Sequence, residues 1–318
     1  MRKEMMTNPW NNLKKPINSH SYSAILCDKV SILRFYWAKD FYENKIFLLQ
    51  LSNNIQDIKK VNDILGIKII FEKINNIQQL SFVLTDIGND DMFYLICNDL
   101  LEKTRNLIDE QKAIDVLLNR LDGWRKFLKS KRKVLDKRGL IGLVAELYFL
   151  KNELFPKFGI KQSLNFWKAP IQEKQDFIVH NTAIEIKTKS TQNKITISSF
   201  EQLNTKLDNL YIYVVTITES SKNIFNSINT MQYIENIKRE IANEDIESLL
   251  EFEKLLFEYG YFNNPEFEKL YFFIGEHTIY KVENDFPKIS YIQSGIESLT
   301  YKINLDSCQK YGAVNIEY

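Results

Sequence analysis

The sequence predicts a mixed α/β (α+β) fold, and three observations predict it. Short β-branched runs joined by Asn-rich connectors fill residues 22–85, and apolar residues recur at helical spacing from Asp90 to about residue 131. From Gly139 to Thr216 the two periods alternate in the order α-β-β-β-α-β. On this reading the chain has a β-rich N-terminal region at 1–105, a central core with its leading helices at 106–220, and an α+β region at 221–318.

The elements follow in order. Ile46–Leu51 and Ile67–Phe71 read as strands, and the stripes Leu95, Leu100, Leu101 and Ile114, Leu117, Leu118, Leu121, Trp124, Leu128 as two amphipathic helices. A basic run, Arg125 to Arg138, then carries eight lysines and arginines against the single acid Asp136. It is either a solvated helix end or a polyanion contact. A helix at Gly139–Leu150 precedes three strands near Leu164–Trp167, Asp176–Val179 and Ala183–Lys189, and a further short strand at Lys194–Ile197 stays open. A helix from Phe200 and a strand at Leu210–Thr216 complete the core. Beyond it a long helical stretch spans Met231–Tyr259, with strand-like runs at Leu270–Ile274, Ile289–Ile292 and Leu299–Leu305.

Composition narrows the function. With 44% hydrophobic and 26% charged residues the chain is neither disordered nor a disulfide scaffold. Its 42 basic and 41 acidic residues leave a net charge of +1, so any nucleic-acid contact must be a local patch. Three distant cysteines, Cys27, Cys97 and Cys308, predict a reducing, cytoplasmic setting and no thiolate metal site. The first residues lack an apolar signal segment, and no apolar stretch is long enough to span a membrane, so no membrane partner is expected. Three histidines, His20, His180 and His277, are too dispersed to favour zinc, which directs attention to carboxylates.

Gln175 to Lys189 reads as a hairpin with a two-residue turn at His180-Asn181. Paired numbers then sum to 361, which places Asp176 opposite Glu185. Glu185, Lys187 and Lys189 share one face, while Ile184 and Ile186 point to a core. Opposed carboxylates destabilise a sheet unless a cation lies between them, and oxygen ligands on rigid strands suit Mg²⁺. Lys187 would reach the same phosphate or the attacking water. A wet amphipathic hairpin accounts for the same pattern without any chemistry. Glu146 interrupts the apolar stripe of the preceding helix, where it either pairs with a base, reaches solvent or helps to hold the cation. Gly139 and Gly142, on that same side, would let the helix approach a sheet closely or would only loosen its entry.

Glu146 on a helix, then Asp176, then Glu185-Ile186-Lys187, resembles the PD-(D/E)XK nuclease superfamily, with Gln175-Asp176 standing where its Pro-Asp does. More closely, Gly142-Leu143-Val144-Ala145-Glu146-Leu147, Trp167, Pro170, Asp176-Phe177 and Glu185-Ile186-Lys187-Thr188 are similar to an uncharacterised bacterial PD-(D/E)XK family. Tyr280, Phe286-Pro287-Lys288-Ile289, Gly295-Ile296 and Tyr301 to Leu305 extend the likeness over most of the chain.

The resemblance implies a restriction-endonuclease-like core with a mixed sheet, and a Mg²⁺-dependent DNA endonuclease in which Mn²⁺ substitutes. Asp176, Glu185 and the Ile186 carbonyl would bind metal, with Glu146 as a further ligand, and Lys187 would assist the attacking water. Gln202 is a candidate site residue by the same likeness, although Ser199-x-x-Gln202 also reads as a capping box. Lys189 would touch phosphate or solvent. The implied setting is a restriction–modification or phage-defence locus, with DNA, a methyltransferase, an ATPase or helicase, and a second copy of the chain as partners. A non-catalytic nucleic-acid-binding or assembly subunit, and a repair nuclease or junction resolvase, stay open as alternatives.

Overall fold

The computed structural model describes residues 8–318 except 20, 53–60, 75, 87, 89, 131–133, 172 and 263–264. His20 and the middle of the basic run, Lys131, Arg132 and Lys133, therefore lie outside the described residues. The chain divides into two compact units, Met1–Arg132 and Lys133–Tyr318. No helix among the described residues is long and apolar enough to cross a membrane.

The first unit is an antiparallel sheet in the order β1-β2-β3-β5-β4, formed by Ser23–Leu26, Arg34–Lys39, Lys45–Leu51, Ile67–Ile74 and Ile77–Leu84. β3 is central and buried on both faces, which its unbroken run Ile46-Phe47-Leu48-Leu49 requires. Trp10 packs on Trp37 and Phe93 and donates its indole N–H to the Ile46 carbonyl (2.9 Å). Two helices follow, α1 (Asp90–Thr104) and α2 (Glu110–Lys129), the second capped by Asp109, which accepts from the Lys112 N–H (2.7 Å). They are tied through buried Asp99, which accepts from Arg120 Nε and Nη2 (2.6 and 2.7 Å) and from Trp124 Nε1 (2.7 Å).

The second unit begins with α3 (Lys137–Phe149), capped by Asp136, whose Oδ1 accepts from Gly139 N–H (2.8 Å). A single π-turn at Leu150–Leu154 leads into α4 (Phe155–Phe158) and α5 (Ile160–Phe166). The strands are β6 (Phe177–Val179), β7 (Thr182–Lys189), β8 (Lys194–Ile197), β9 (Asn209–Ser220) and β10 (Ile228–Asn229). Helices α6 (Thr230–Glu244) and α7 (Ile246–Tyr259) precede β11 (Tyr271–Lys281), β12 (Tyr301–Asn304) and β13 (Gly312–Ala313). The main sheet runs β10-β11-β9-β7-β6 with β13 on β11, and β7 and β9 are parallel while its other pairs are antiparallel, so the sheet is mixed.

Alternation sorts the two faces of this sheet. Ile184, Ile186, Tyr211 and Tyr213 join Leu143, Phe149, Ile237 and Phe252 in a core on the helix side. Ile212 and Val214 face the other way, onto a two-stranded ribbon of β8 and β12 that contributes Ile195, Ile197 and Ile303. Glu185 pairs with Ile212 and Lys187 with Val214, so the charged face of β7 lies on the ribbon side.

Several expectations are corrected. Leu164–Trp167 is not a strand: Ile160, Ser163 and Leu164 are buried at helical spacing in α5, and Trp167 makes only an isolated bridge to Phe177. The helix expected from Phe200 is a short 3₁₀ turn at Glu201–Leu203, because Asn204 Nδ2 donates to the Phe200 carbonyl (2.8 Å) and competes with helical bonding. The order α-β-β-β-α-β thus has a turn in place of its second helix, and β8 pairs outside the main sheet. Asp245 splits the helical stretch 231–259 by capping α7 through the Ser248 N–H (3.0 Å). Ile289–Ile292 forms no strand, leaving Tyr291 exposed. The boundaries at 105 and 220 also differ from the observed division at Arg132, since α1 and α2 share Asp99, and β9 takes β11 as its neighbour.

Asp99→Ala would remove the buried carboxylate that accepts from both Arg120 and Trp124 and ties α1 to α2. We expect a loss of about 3–5 kcal/mol, measured by chemical denaturation.

Candidate active site

The β6–β7 hairpin places the carboxylates. Its register pairs Val179 with Thr182, Ile178 with Ala183 and Phe177 with Ile184, the sum of 361 that puts Asp176 across from Glu185. His180 turns the chain with φ at 52°, a conformation rare for a residue with a Cβ, and acts as a turn residue. Asp176 sits just before β6, with its carbonyl accepting from the N–H groups of Lys168 (2.7 Å) and Ala169 (3.1 Å). Its Oδ2 accepts from the Ile186 N–H (2.7 Å). In a strand the N–H and C=O of one residue point to the same side, so the Ile186 carbonyl also faces the Asp176 edge, where β6 has ended.

Gln175, standing where the superfamily has proline, is buried, and its Nε2 donates to the Glu201 carbonyl (2.7 Å). That bond ties the strand start to the 3₁₀ turn. Glu185 is 1% exposed, and its Oε1 accepts from Lys187 Nζ (2.7 Å). Its Oε2 is buried without a hydrogen-bond partner among the described residues.

Glu146 reaches the same cluster from α3. Trp167 Nε1 donates to its Oε2 (2.7 Å), and the Tyr259 hydroxyl donates to its Oε1. The residue is thus neither lysine-paired nor solvated. A Cβ at Gly142 would meet only the Tyr259 hydroxyl oxygen at 3.8 Å, so that glycine is not there to relieve crowding against the sheet.

Electrostatics bind the group together. Burial, and then the charge of Asp176, push Glu146 well above the usual carboxylate range, against the pull of its Tyr259 and Trp167 hydrogen bonds. Burial also raises Asp176, opposed by Lys187 and by the Ile186 N–H. Burial and Asp176 push Glu185 up to about 8. Burial pulls Lys187 down, but Glu185 and Asp176 outweigh it and leave the ammonium raised and firmly charged.

Two buried carboxylates, Glu146 and Glu185, and the half-buried Asp176 therefore face one ammonium. The unpartnered Glu185 Oε2, the opposed Asp176 and the Ile186 carbonyl form an all-oxygen donor set that fits a hard divalent cation. Among the described residues no group of three or more His, Cys, Asp or Glu side chains is arranged to hold a metal. A set of two carboxylates and one backbone carbonyl, completed by water, does not require such a group.

Gln202 serves its own turn: its Oε1 accepts from the Ser198 N–H (2.7 Å), one residue ahead of the Ser199 N–H that a capping box would use, and the 3₁₀ turn is capped by no side chain. Trp167 belongs to the core and is also the Glu146 donor. The residue that sequence reasoning missed is Tyr259. Its signal was faint, a tyrosine in the last turn of a helix ahead of Gly260, 113 residues from its partner.

A helix-borne glutamate beside an Asp and a Glu-x-Lys on one hairpin is the pattern of the PD-(D/E)XK superfamily, whose members are typically nucleases that use divalent metals. The family described as "Putative PD-(D/E)XK family member (DUF4420)" matches residues 6–306, and the chain belongs to it. No curated protein and no solved structure matches the chain.

The raised Glu185 carboxyl carries a linkage consequence in chelator. Between its ordinary value of 4.5 and about 8 the folded protein binds more protons than the unfolded chain, so stability falls as pH rises through that window. Thermal melts in chelator should show this decline, and Glu185→Gln should make it shallower.

Proposed function

We propose that this protein is a Mg²⁺-dependent DNA endonuclease that hydrolyses phosphodiester bonds. The observation that carries this reading is the buried, unpartnered Glu185 Oε2 opposite Asp176 with Lys187 on the same carboxylate. A purely structural hairpin has no reason to bury that atom without a partner, since an unsatisfied buried carboxylate oxygen is costly.

Asp176, Glu185 and the Ile186 carbonyl would hold the ion, with Mn²⁺ as a substitute. Mg²⁺, when bound, supplies Lewis-acid stabilisation of charge at the scissile phosphate. Lys187, held at 2.7 Å by Glu185, orients the attacking water and offsets phosphate charge. Glu146, fixed through both oxygens by Trp167 and Tyr259, would hold a second ion or a metal-bound water beside Asp176. In-line attack on phosphorus breaks the bond to the 3′-oxygen, leaving a 5′-phosphate and a 3′-hydroxyl. A cytoplasmic restriction–modification or phage-defence role, with a methyltransferase and an ATPase or helicase as partners, is carried by family likeness. The net charge of +1 favours a shared rather than solitary grip on DNA.

The test incubates purified protein with methylated and unmethylated supercoiled DNA, in Mg²⁺ or chelator, beside Lys187→Ala. Metal-dependent nicking that falls by about 10²-fold or more in the variant, with DNA binding retained, is expected. Full activity in the variant would remove Lys187 from the mechanism. A folded wild-type protein that binds no Mg²⁺ would make it a non-catalytic subunit.

A further inference from the structure

Beside the carboxylate site, where β7 ends, the second unit holds a cavity of about 240 Å³. Its lining brings together lysines from three strands: Lys189 of β7, Lys194 of β8 and Lys302 of β12. Ser190 and Thr196 add hydroxyls, and the described lining contains no acidic residue and no aromatic ring. Lys189 donates to the neutral Asn193 Oδ1 (2.9 Å) rather than to a carboxylate.

The basic run once eligible for a polyanion differs. Of its described members, Arg125 and Lys126 pair with Asp122 (3.0 and 2.8 Å) and Lys137 pairs with Glu219 (2.7 Å), whereas Lys129 and Arg138 stand outside these pairs and do not line this cavity. The lysines at the cavity are the better candidates for an anion supplied from outside.

We propose that this cavity is a phosphate subsite for the DNA backbone adjoining the scissile bond; the proposal rests on the nuclease reading above. Lys189 follows Lys187 on the same face of β7, about 7 Å along the strand, within reach of a neighbouring phosphate. Lys302 is brought in by strand pairing: it stands opposite Thr196, while buried Ile303 anchors β12 beside Ile195. Lysines and hydroxyls without a stacking ring can hold phosphate and sugar but offer no platform for a base, so the subsite positions DNA without reading its sequence. The C-terminal region thereby gains a task, to supply one wall of the substrate path.

The experiment measures binding of labelled random-sequence duplex to the full chain across a salt series, for wild type, Lys189→Ala, Lys194→Ala, Lys302→Ala and the triple variant, with melting curves to confirm folding. Cleavage and ATP binding are assayed in parallel. Each alanine is expected to weaken binding equally across sequences and to lower the salt slope by about 0.9 on duplex. The triple variant should raise KM for cleavage more than it lowers kcat. A folded triple variant with the wild-type slope overturns the subsite, and if wild type still cleaves, the nuclease reading stands. Lysine-dependent binding of ATP with an unchanged DNA slope reassigns the cavity to a free nucleotide and likewise overturns the proposal. A wild type that neither binds nor cuts DNA overturns both.

Discussion

The two-residue turn at His180-Asn181 fixes the register of β6 against β7, and that register sets the half-buried Asp176 beside the buried Glu185. A slip of one residue would send Glu185 and Lys187 into the helix-side core and turn Ile184 and Ile186 outward. The pattern of Ile184, Ile186, Tyr211 and Tyr213 on one face and Ile212 and Val214 on the other therefore does two things at once. It drives the sheet to form, and it holds like charges together that would separate if free to do so. Burial is the dominant influence on every carboxylate in the cluster, and repulsion from Asp176 adds to it at Glu146 and Glu185.

That arrangement needs support from outside the hairpin. The Glu146 carboxylate takes hydrogen bonds from Trp167, just after α5, and from Tyr259, at the end of α7, so three helices bear on one carboxylate. Gln175 does a similar job on the other side by tying the start of β6 to the 3₁₀ turn. The departure from proline at that position thus replaces a stiff backbone with a directed hydrogen bond, and Asp176 is still held by the Ile186 N–H.

The hairpin, its register, the charged face of β7 and the stripe bearing Glu146 were legible because each follows from a period of two or of three to four residues. In the N-terminal unit β3, β4 and both helices were legible for the same reason. Errors fell where local pattern and tertiary partner disagree. Phe200, Leu203 and Leu207 have helical spacing, yet the Asn204 side chain bonds its own backbone and stops the helix after one turn. Leu164 to Trp167 looked like a strand when read alone, but Ile160 and Ser163 complete a helical stripe with Leu164. Tyr259 lay beyond any local reading, since its partner is fixed only when α7 packs beside α3 and α5.

The same logic explains how a nearly neutral chain can present a strongly charged site. Its opposite charges are not mixed evenly: the carboxylates Glu146, Asp176 and Glu185 cluster at the hairpin, whereas Lys189, Lys194 and Lys302 gather at the adjoining cavity. Such a separation leaves net charge untouched and creates a local field, negative where a cation fits and positive where a phosphate does. The parallel pairing of β7 with β9 requires a crossover connection between them, and here the crossover carries β8 where the sequence led us to expect a helix as well. Because β8 recruits β12 rather than joining the main sheet, the crossover brings Lys194 and Lys302 to the cavity at the end of β7, where Lys189 also stands.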